Sequence, residues 1–157
     1  MSPEAPTSED VRWLLRCLEL AQAAAAADEV PVGAVVVVDG VVVGEGRNRV
    51  EELRSPLAHA EMLALQQALV HAGNKRLANA TLYCSLEPCF LCAGAILHAR
   101  VDRVVFGASD PKFGAVRSLA NVLEDPRLNH RCTVVAGVEA AASAELLRAF
   151  FRQKRGG

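Results

Sequence analysis

Two short stretches, Ala58-His59-Ala60-Glu61 and Pro88-Cys89-Phe90-Leu91-Cys92, constrain the fold of this chain more than any other feature. An imidazole and two thiolates are the donors Zn²⁺ prefers. They can share one ion only if two distant segments fold to a single point. Cys89 and Cys92 are spaced to share a helix face, and Pro88 ahead of them suits a helix start. The positive end of that helix favours both sulfurs as thiolates. His59 follows the break at Ser55-Pro56 and precedes an apolar helical run, so it also opens a helix. Two helix N-termini therefore converge on one metal. Three protein ligands leave a tetrahedral position for water. Glu61 is not a ligand. In the middle of a helix it would diverge from His59 around the axis, but in a first turn aimed at the metal both reach the same space.

These residues admit other readings. A lone C-x-x-C is a redox pair or half of a structural zinc site, and a lone H-x-E carries no information. Together, each opening a helix, they point to a catalytic metal with a proton-moving carboxylate. The sharpest alternative is a sealed Cys₃His cage completed by Cys84. That cysteine sits in the β-like run Thr81-Leu82-Tyr83-Cys84-Ser85 and reads better as a small buried hydrophobe.

The 157 residues suffice for one domain, spanning 1–157, with a sizeable core, and 52% apolar content makes the chain globular. No apolar run reaches the roughly 18 residues of a membrane span. The N-terminus is Pro-rich and acidic, without the basic character of a leader, which predicts a cytoplasmic protein. Five cysteines, three of them (Cys17, Cys84, Cys132) scattered through apolar segments, fit free thiols in a reducing compartment. Net charge is −1, but unevenly spread. Glu4, Glu9, Asp10, Glu19, Asp28 and Glu29 face only Arg12 and Arg16 at one end; Arg148, Arg152, Lys154 and Arg155 end the chain with no acid among them. That basic end can meet phosphate or cap a solvated helix; composition alone favours the second.

Thr7-Ser8-Glu9-Asp10 reads as an N-cap for a helix running to about Ala27. Val32–Val38 and Val41–Gly46 are strands joined by Asp39-Gly40, a type I′ signal. Residues 47–57 read as a polar loop, 59–72 as a helix stopped by Gly73-Asn74, 80–85 as a strand, 89–99 as a helix and 101–107 as a strand. Residues 109–130 read as a long loop with one helical turn near Ser118–Leu123. A strand over 132–136 and a helix over 142–154 follow. The alternation predicts an α/β fold, a three-layer α-β-α sandwich with a five-stranded mixed sheet: an antiparallel hairpin first, then a right-handed parallel crossover over 80–107.

The H-x-E…P-C-x-x-C pattern is that of the zinc nucleobase deaminases. Beyond it the chain resembles the bacterial tRNA-specific adenosine deaminases over nearly its full length, within the cytidine deaminase-like superfamily. The matching text includes Glu29-Val30-Pro31-Val32-Gly33-Ala34, Gly46-x-Asn48-Arg49, Leu86-Glu87-Pro88-Cys89, Arg103 to Ala108, Asp110-x-Lys112-x-Gly114-Ala115, Asn129-His130 and Phe150-Phe151-Arg152. The resemblance implies one Zn²⁺ per subunit, held by His59, Cys89 and Cys92, with Glu61 as the catalytic acid–base. It implies a homodimer acting on the wobble adenosine of a tRNA anticodon loop that touches both subunits. By position it assigns nucleoside contact to Asn48, base contact to the Ala60 N–H, pocket wall to Val30 and Phe150, ribose contact to Asp110, and nearby phosphates to Lys112 and Arg152. Without the family, Asn48 reads equally as a functional residue or as a turn at the end of a strand, Asp110 as a turn residue, and Val30 and Phe150 as core. Three positions depart from the family pattern: Ser55-Pro56-Leu57 where it has Asp-Pro-Thr, Phe113 where it has a small residue, and Arg117 where it has Gly. All lie in loops expected near RNA.

The expected chemistry follows. Beside a water that Zn²⁺ acidifies to a pKa near ~7, Glu61 would accept a proton, pass it to the ring nitrogen next to C6 of adenine, and protonate the departing amine. The base must flip out of its stack to reach such a site. Rival readings are a deaminase of free guanine, cytosine or cytidine, and an RNA-binding protein with structural zinc; the latter has no use for Glu61.

Overall fold

The computed structural model describes residues 5–156, so Glu4 of the acidic N-terminal stretch lies outside the described residues. Helix α1 (Ser8–Ala26) opens with the expected cap: Thr7 Oγ1 accepts the Asp10 N–H at 3.1 Å and the Asp10 carboxylate accepts the Thr7 N–H at 2.9 Å. Strands β1 (Gly33–Val38) and β2 (Val41–Arg47) form the hairpin. Asp39 and Gly40 have φ of 49° and 76°, the left-handed pair that a type I′ turn requires. Strands β3 (Ala80–Leu86), β4 (Arg103–Ala108) and β5 (Thr133–Val135) complete a sheet of order β2-β1-β3-β4-β5. β1 runs antiparallel to both neighbours, while β3, β4 and β5 are parallel.

The period of two along β1 divides the core. Val35 and Val37 face Trp13, Leu14, Tyr83 and Val105; Ala34 and Val36 face Ala64, Leu65, Leu82 and Phe106. Helix α1 covers the first face and packs against the last helix, α5 (Ala140–Gly156). Helices α3 (Ala60–Ala72) and α4 (Phe90–Ala99) cover the second. This is the mixed-sheet three-layer sandwich that the alternation of elements predicts. α4 is the crossover between β3 and β4. Gly46 lets β2 and α3 approach closely: a Cβ there would run into the Ala60 carbonyl at the start of α3, beside the metal motif.

Two local expectations are corrected. Residues 47–57 are not all loop: Val50–Leu53 form a single turn, α2. Its first amides, of Glu51 and Glu52, donate to the buried Glu29 carboxylate at 3.0 and 2.8 Å. A cap from so distant a residue has no local signature. Nor is there a helical turn at Ser118–Leu123, because another carboxylate, Glu87, takes the amides that would have begun it.

The far side of the sheet is closed by a buried ion pair. Arg103 donates from Nη1 and Nη2 to the two Asp10 oxygens, both at 2.7 Å, and the Tyr83 hydroxyl donates to Asp10 at 3.1 Å. Burial pushes the Asp10 carboxyl up, but these donors and the Thr7 amide outweigh it and hold the carboxyl at about 2. Because the folded value lies below the unfolded one, the stabilisation is present above about pH 4 and fades as pH falls towards 2. Asp10→Asn is expected to cost about 2 kcal/mol at pH 7. In urea melts the difference from wild type should shrink steadily between pH 4 and 2.

Candidate metal centre

His59 and Cys89 are the N-cap residues of α3 and α4, each with extended backbone rather than the first helical residue that the spacing suggests. This one-residue shift explains how H-x-E works here. His59 stands outside the helix, free of the helical angle that would separate it from Glu61. Across α4, Cys89 at the N-cap and Cys92 at the third helical position are three residues apart and so lie on one face. His59 is held in place from behind: the Arg49 amide donates to the Ala58 carbonyl at 3.0 Å, and the Ala60 amide donates to Asn48 Oδ1 at 2.8 Å.

His59 Nδ1 lies 3.7 Å from Cys89 Sγ and 3.4 Å from Cys92 Sγ. A tetrahedron with Zn–S of about 2.3 Å and Zn–N of about 2.0–2.1 Å has N···S edges of roughly 3.6 Å. The spacing and the donor set both fit a thiophilic divalent cation. Among the described residues these three are the His/Cys/Asp/Glu cluster able to hold a metal. Cys84 is not part of it. It is buried within β3 with its thiol directed at the Val105 carbonyl, and burial pushes its titration well up. Cys84 therefore does not join the other three residues to complete a Cys₃His set.

The electrostatics agree with this arrangement. Hydrogen bonds from Cys92 and His59 pull the Cys89 thiol down to about 4, against the opposing effect of burial. Cys92, which supplies the shared proton and is fully buried, is pushed up. A cation between the two sulfurs deprotonates both. His59 is raised by its contact with Cys89. Glu61 is 4% exposed, and burial, reinforced by the Cys89 charge, lifts it to about 7. An acid–base group near neutrality is suited to taking and returning protons, and a bound cation would draw it back down.

His59, Glu61 and Cys89 open into a cavity of about 780 Å³. Val30, Asn48, Asp110 and Phe150 line it; Lys112 and Arg152 do not. Asn48 already accepts the Ala60 amide through Oδ1, so Ala60's N–H is engaged within the protein and the Asn48 NH₂ is the group left for a ligand. Arg152 pairs with Glu145 at 3.1 Å and Lys154 with Asp28 at 2.5 Å, so much of the basic C-terminal charge is spent on ion pairs.

Sequence reasoning assigned no role to Glu87, which organises the loop beside the metal. Its carboxylate accepts the amides of Asp110, Val116, Arg117 and Ser118 at 2.9, 3.1, 2.7 and 2.9 Å, and the Ser118 hydroxyl at 2.5 Å. Burial raises its titration, but these donors outweigh burial and the carboxyl ends below its usual range. Gly114 is required here because a Cβ would strike that carboxylate. The Leu86-Glu87-Pro88 text was the available signal: a charged residue at the end of a buried strand needs partners. Glu87→Gln turns an acceptor into a donor facing donors. It should destabilise by about 3 kcal/mol, with hydrogen exchange of the 110–118 amides accelerated before any other segment.

A His-Cys-Cys cluster able to hold a metal, beside a buried carboxylate and at the N-termini of two helices on one sheet face, is the arrangement of a deaminase domain. The family model described as MafB19-like deaminase matches residues 8–155. The tRNA-specific adenosine deaminase of Streptococcus pyogenes serotype M1 is 44% identical over 147 residues, spanning 94% of this chain and 86% of the relative. This chain belongs to the tRNA-specific adenosine deaminase family. A structure from studies of A-to-I editing by tRNA:A34 deaminases at the wobble position of transfer RNA superposes with a TM-score of 0.83 at 42% identity, over 87% of this chain and 99% of that one. A guanine deaminase from Nitrosomonas europaea shares the fold at 29% identity, with a TM-score of 0.79 over 95% of this chain and 87% of its own.

Proposed function

We propose that this protein is a zinc-dependent hydrolase that converts adenosine to inosine at the wobble position of a tRNA anticodon, acting in the cytoplasm as a homodimer of single-domain subunits. The observation that carries the reading is Glu61: a buried, non-ligating carboxylate beside three metal ligands at the floor of a cavity large enough for a nucleotide. The tRNA substrate follows from relatives more than 40% identical over nearly the whole chain. Exposed Phe90 and Leu91 in the first turn of α4 support a second copy as partner.

His59, Cys89 and Cys92 would hold Zn²⁺. When bound, the ion supplies a water acidic enough to lose a proton near neutral pH and acts as a Lewis acid. Glu61 accepts that proton and delivers it to the adenine ring nitrogen adjacent to C6. It then takes the remaining proton from the hydroxyl now on C6 and passes it to the exocyclic amine, which leaves as ammonia as the C6–N bond breaks and the C6 oxygen becomes a carbonyl. The Asn48 NH₂ donates to the nucleoside, and Val30 and Phe150 wall the base. Asp110 meets the ribose, and Lys112 and Arg152 lie towards phosphate. Burial of Glu61 keeps competing water from its carboxylate.

The deciding assay offers the protein an anticodon stem-loop with a wobble adenosine and, separately, guanine, cytosine and cytidine. Inosine in the stem-loop is the expected product. Turnover of a free base or nucleoside with the stem-loop untouched would transfer the assignment to that substrate.

A further inference from the structure

Phe113 is 65% exposed, yet it is among the residues that line the cavity of His59, Glu61 and Cys89. It belongs to neither core cluster, and among the described residues the aromatic pair is Phe150 with Phe151, not Phe113. An exposed aromatic on a mobile loop would be unremarkable, but the backbone here is fixed at several points. The Phe113 and Lys112 amides donate to Asp110 Oδ1 at 3.2 and 3.1 Å, and the Gly114 amide donates to the Asp110 carbonyl at 2.8 Å. The next residues are tied to the metal site itself: Gly114 bridges to Cys89, and the Ala115 amide donates to the Pro88 carbonyl at 2.9 Å. Glu87 clamps both ends of the segment. The backbone that carries the ring is thus fixed, one residue from a backbone contact to Cys89, and the ring itself is left exposed.

We propose that Phe113 is a stacking platform for the nucleobase adjacent to the reacting nucleotide, and so a residue that selects a single-stranded loop over a free nucleoside. The proposal rests on the RNA reading above. Flipping one base into the cavity unstacks its neighbours. An exposed, pre-positioned aromatic face compensates an unstacked base whatever its identity. The exposed Lys112 beside it is placed to accompany the backbone phosphate. Preorganisation matters because a backbone already fixed loses little entropy on binding.

The test measures kcat and KM for wild type, Phe113→Ala and Phe113→Trp on the anticodon stem-loop. The same proteins are assayed on two further stem-loops, with the nucleotide 5′ or 3′ of the target made abasic. Phe113→Ala should raise KM roughly five- to 150-fold, the span that about 1–3 kcal/mol of base–aromatic stacking gives. kcat and the melting temperature should hold, and Phe113→Trp should restore KM. One of the abasic substrates should raise wild-type KM similarly and cost Phe113→Ala nothing more. An unchanged KM in Phe113→Ala, or abasic and alanine effects that simply multiply, overturns the platform while leaving the substrate assignment standing. So does a KM loss that tracks dissociation into monomers in sedimentation. A wild-type protein that leaves the stem-loop unmodified overturns the substrate assignment and the platform together.

Discussion

Replacing Glu61 with Gln is expected to lower kcat by about 10²- to 10⁴-fold, with metal content and fold unchanged. Glutamine keeps the volume and one acceptor oxygen but cannot shuttle a proton. The carboxylate is buried, so replacing it with a neutral side chain removes a desolvation cost, and the melting temperature should stay level or rise. Loss of activity with unchanged or raised stability is the signature of a group kept for chemistry. A variant with wild-type turnover would take Glu61 out of the proton path.

Cys92→Ala is expected to have the opposite profile. Cys92 is fully buried, and the site has no spare sulfur, because Cys84 faces the Val105 carbonyl. Two remaining ligands hold zinc far more weakly, so the variant should purify without stoichiometric metal. The stabilisation that metal gives a folded site is about 4 kcal/mol when free metal is 1,000-fold above Kd. For a chain of this length that corresponds to roughly 8–16 °C in melting temperature. Chelation of the wild-type protein should reproduce the loss, and added zinc should reverse it. The protein should not unfold outright as a zinc finger does, because both core clusters pack on the sheet without help from the metal.

The meeting of His59, Cys89 and Cys92 was legible because the chemistry leaves little choice of residue: only certain donors bind zinc, and each motif carries its own helix-start signal. The strands were legible because Val32–Val38 is β-branched and Asp39-Gly40 demands two left-handed residues. What escaped was built from long-range contacts. Glu87 reaches amides 23 to 31 residues away, and Glu29 caps α2 from 22 and 23 residues away. Neither leaves a periodicity for a sequence reading to detect. The false helical turn at Ser118–Leu123 has the same origin, since its amides were claimed by a partner on another element. Hydrogen bonding and ion pairing also redistributed the expected contacts. The Ala60 amide is engaged by Asn48, and Arg148 and Arg152 by Glu145. Such choices appear only when the elements are in place.

The central claim is a cation with three protein ligands and one position open to solvent. X-ray absorption at the zinc edge of the purified protein tests it most directly. The account predicts one zinc per chain, with two sulfurs at about 2.3 Å and two lighter donors at about 2.0–2.1 Å, one of the latter exchangeable for an added anion. A shell of three sulfurs and one nitrogen that no anion perturbs would mean a sealed structural site and would contradict it.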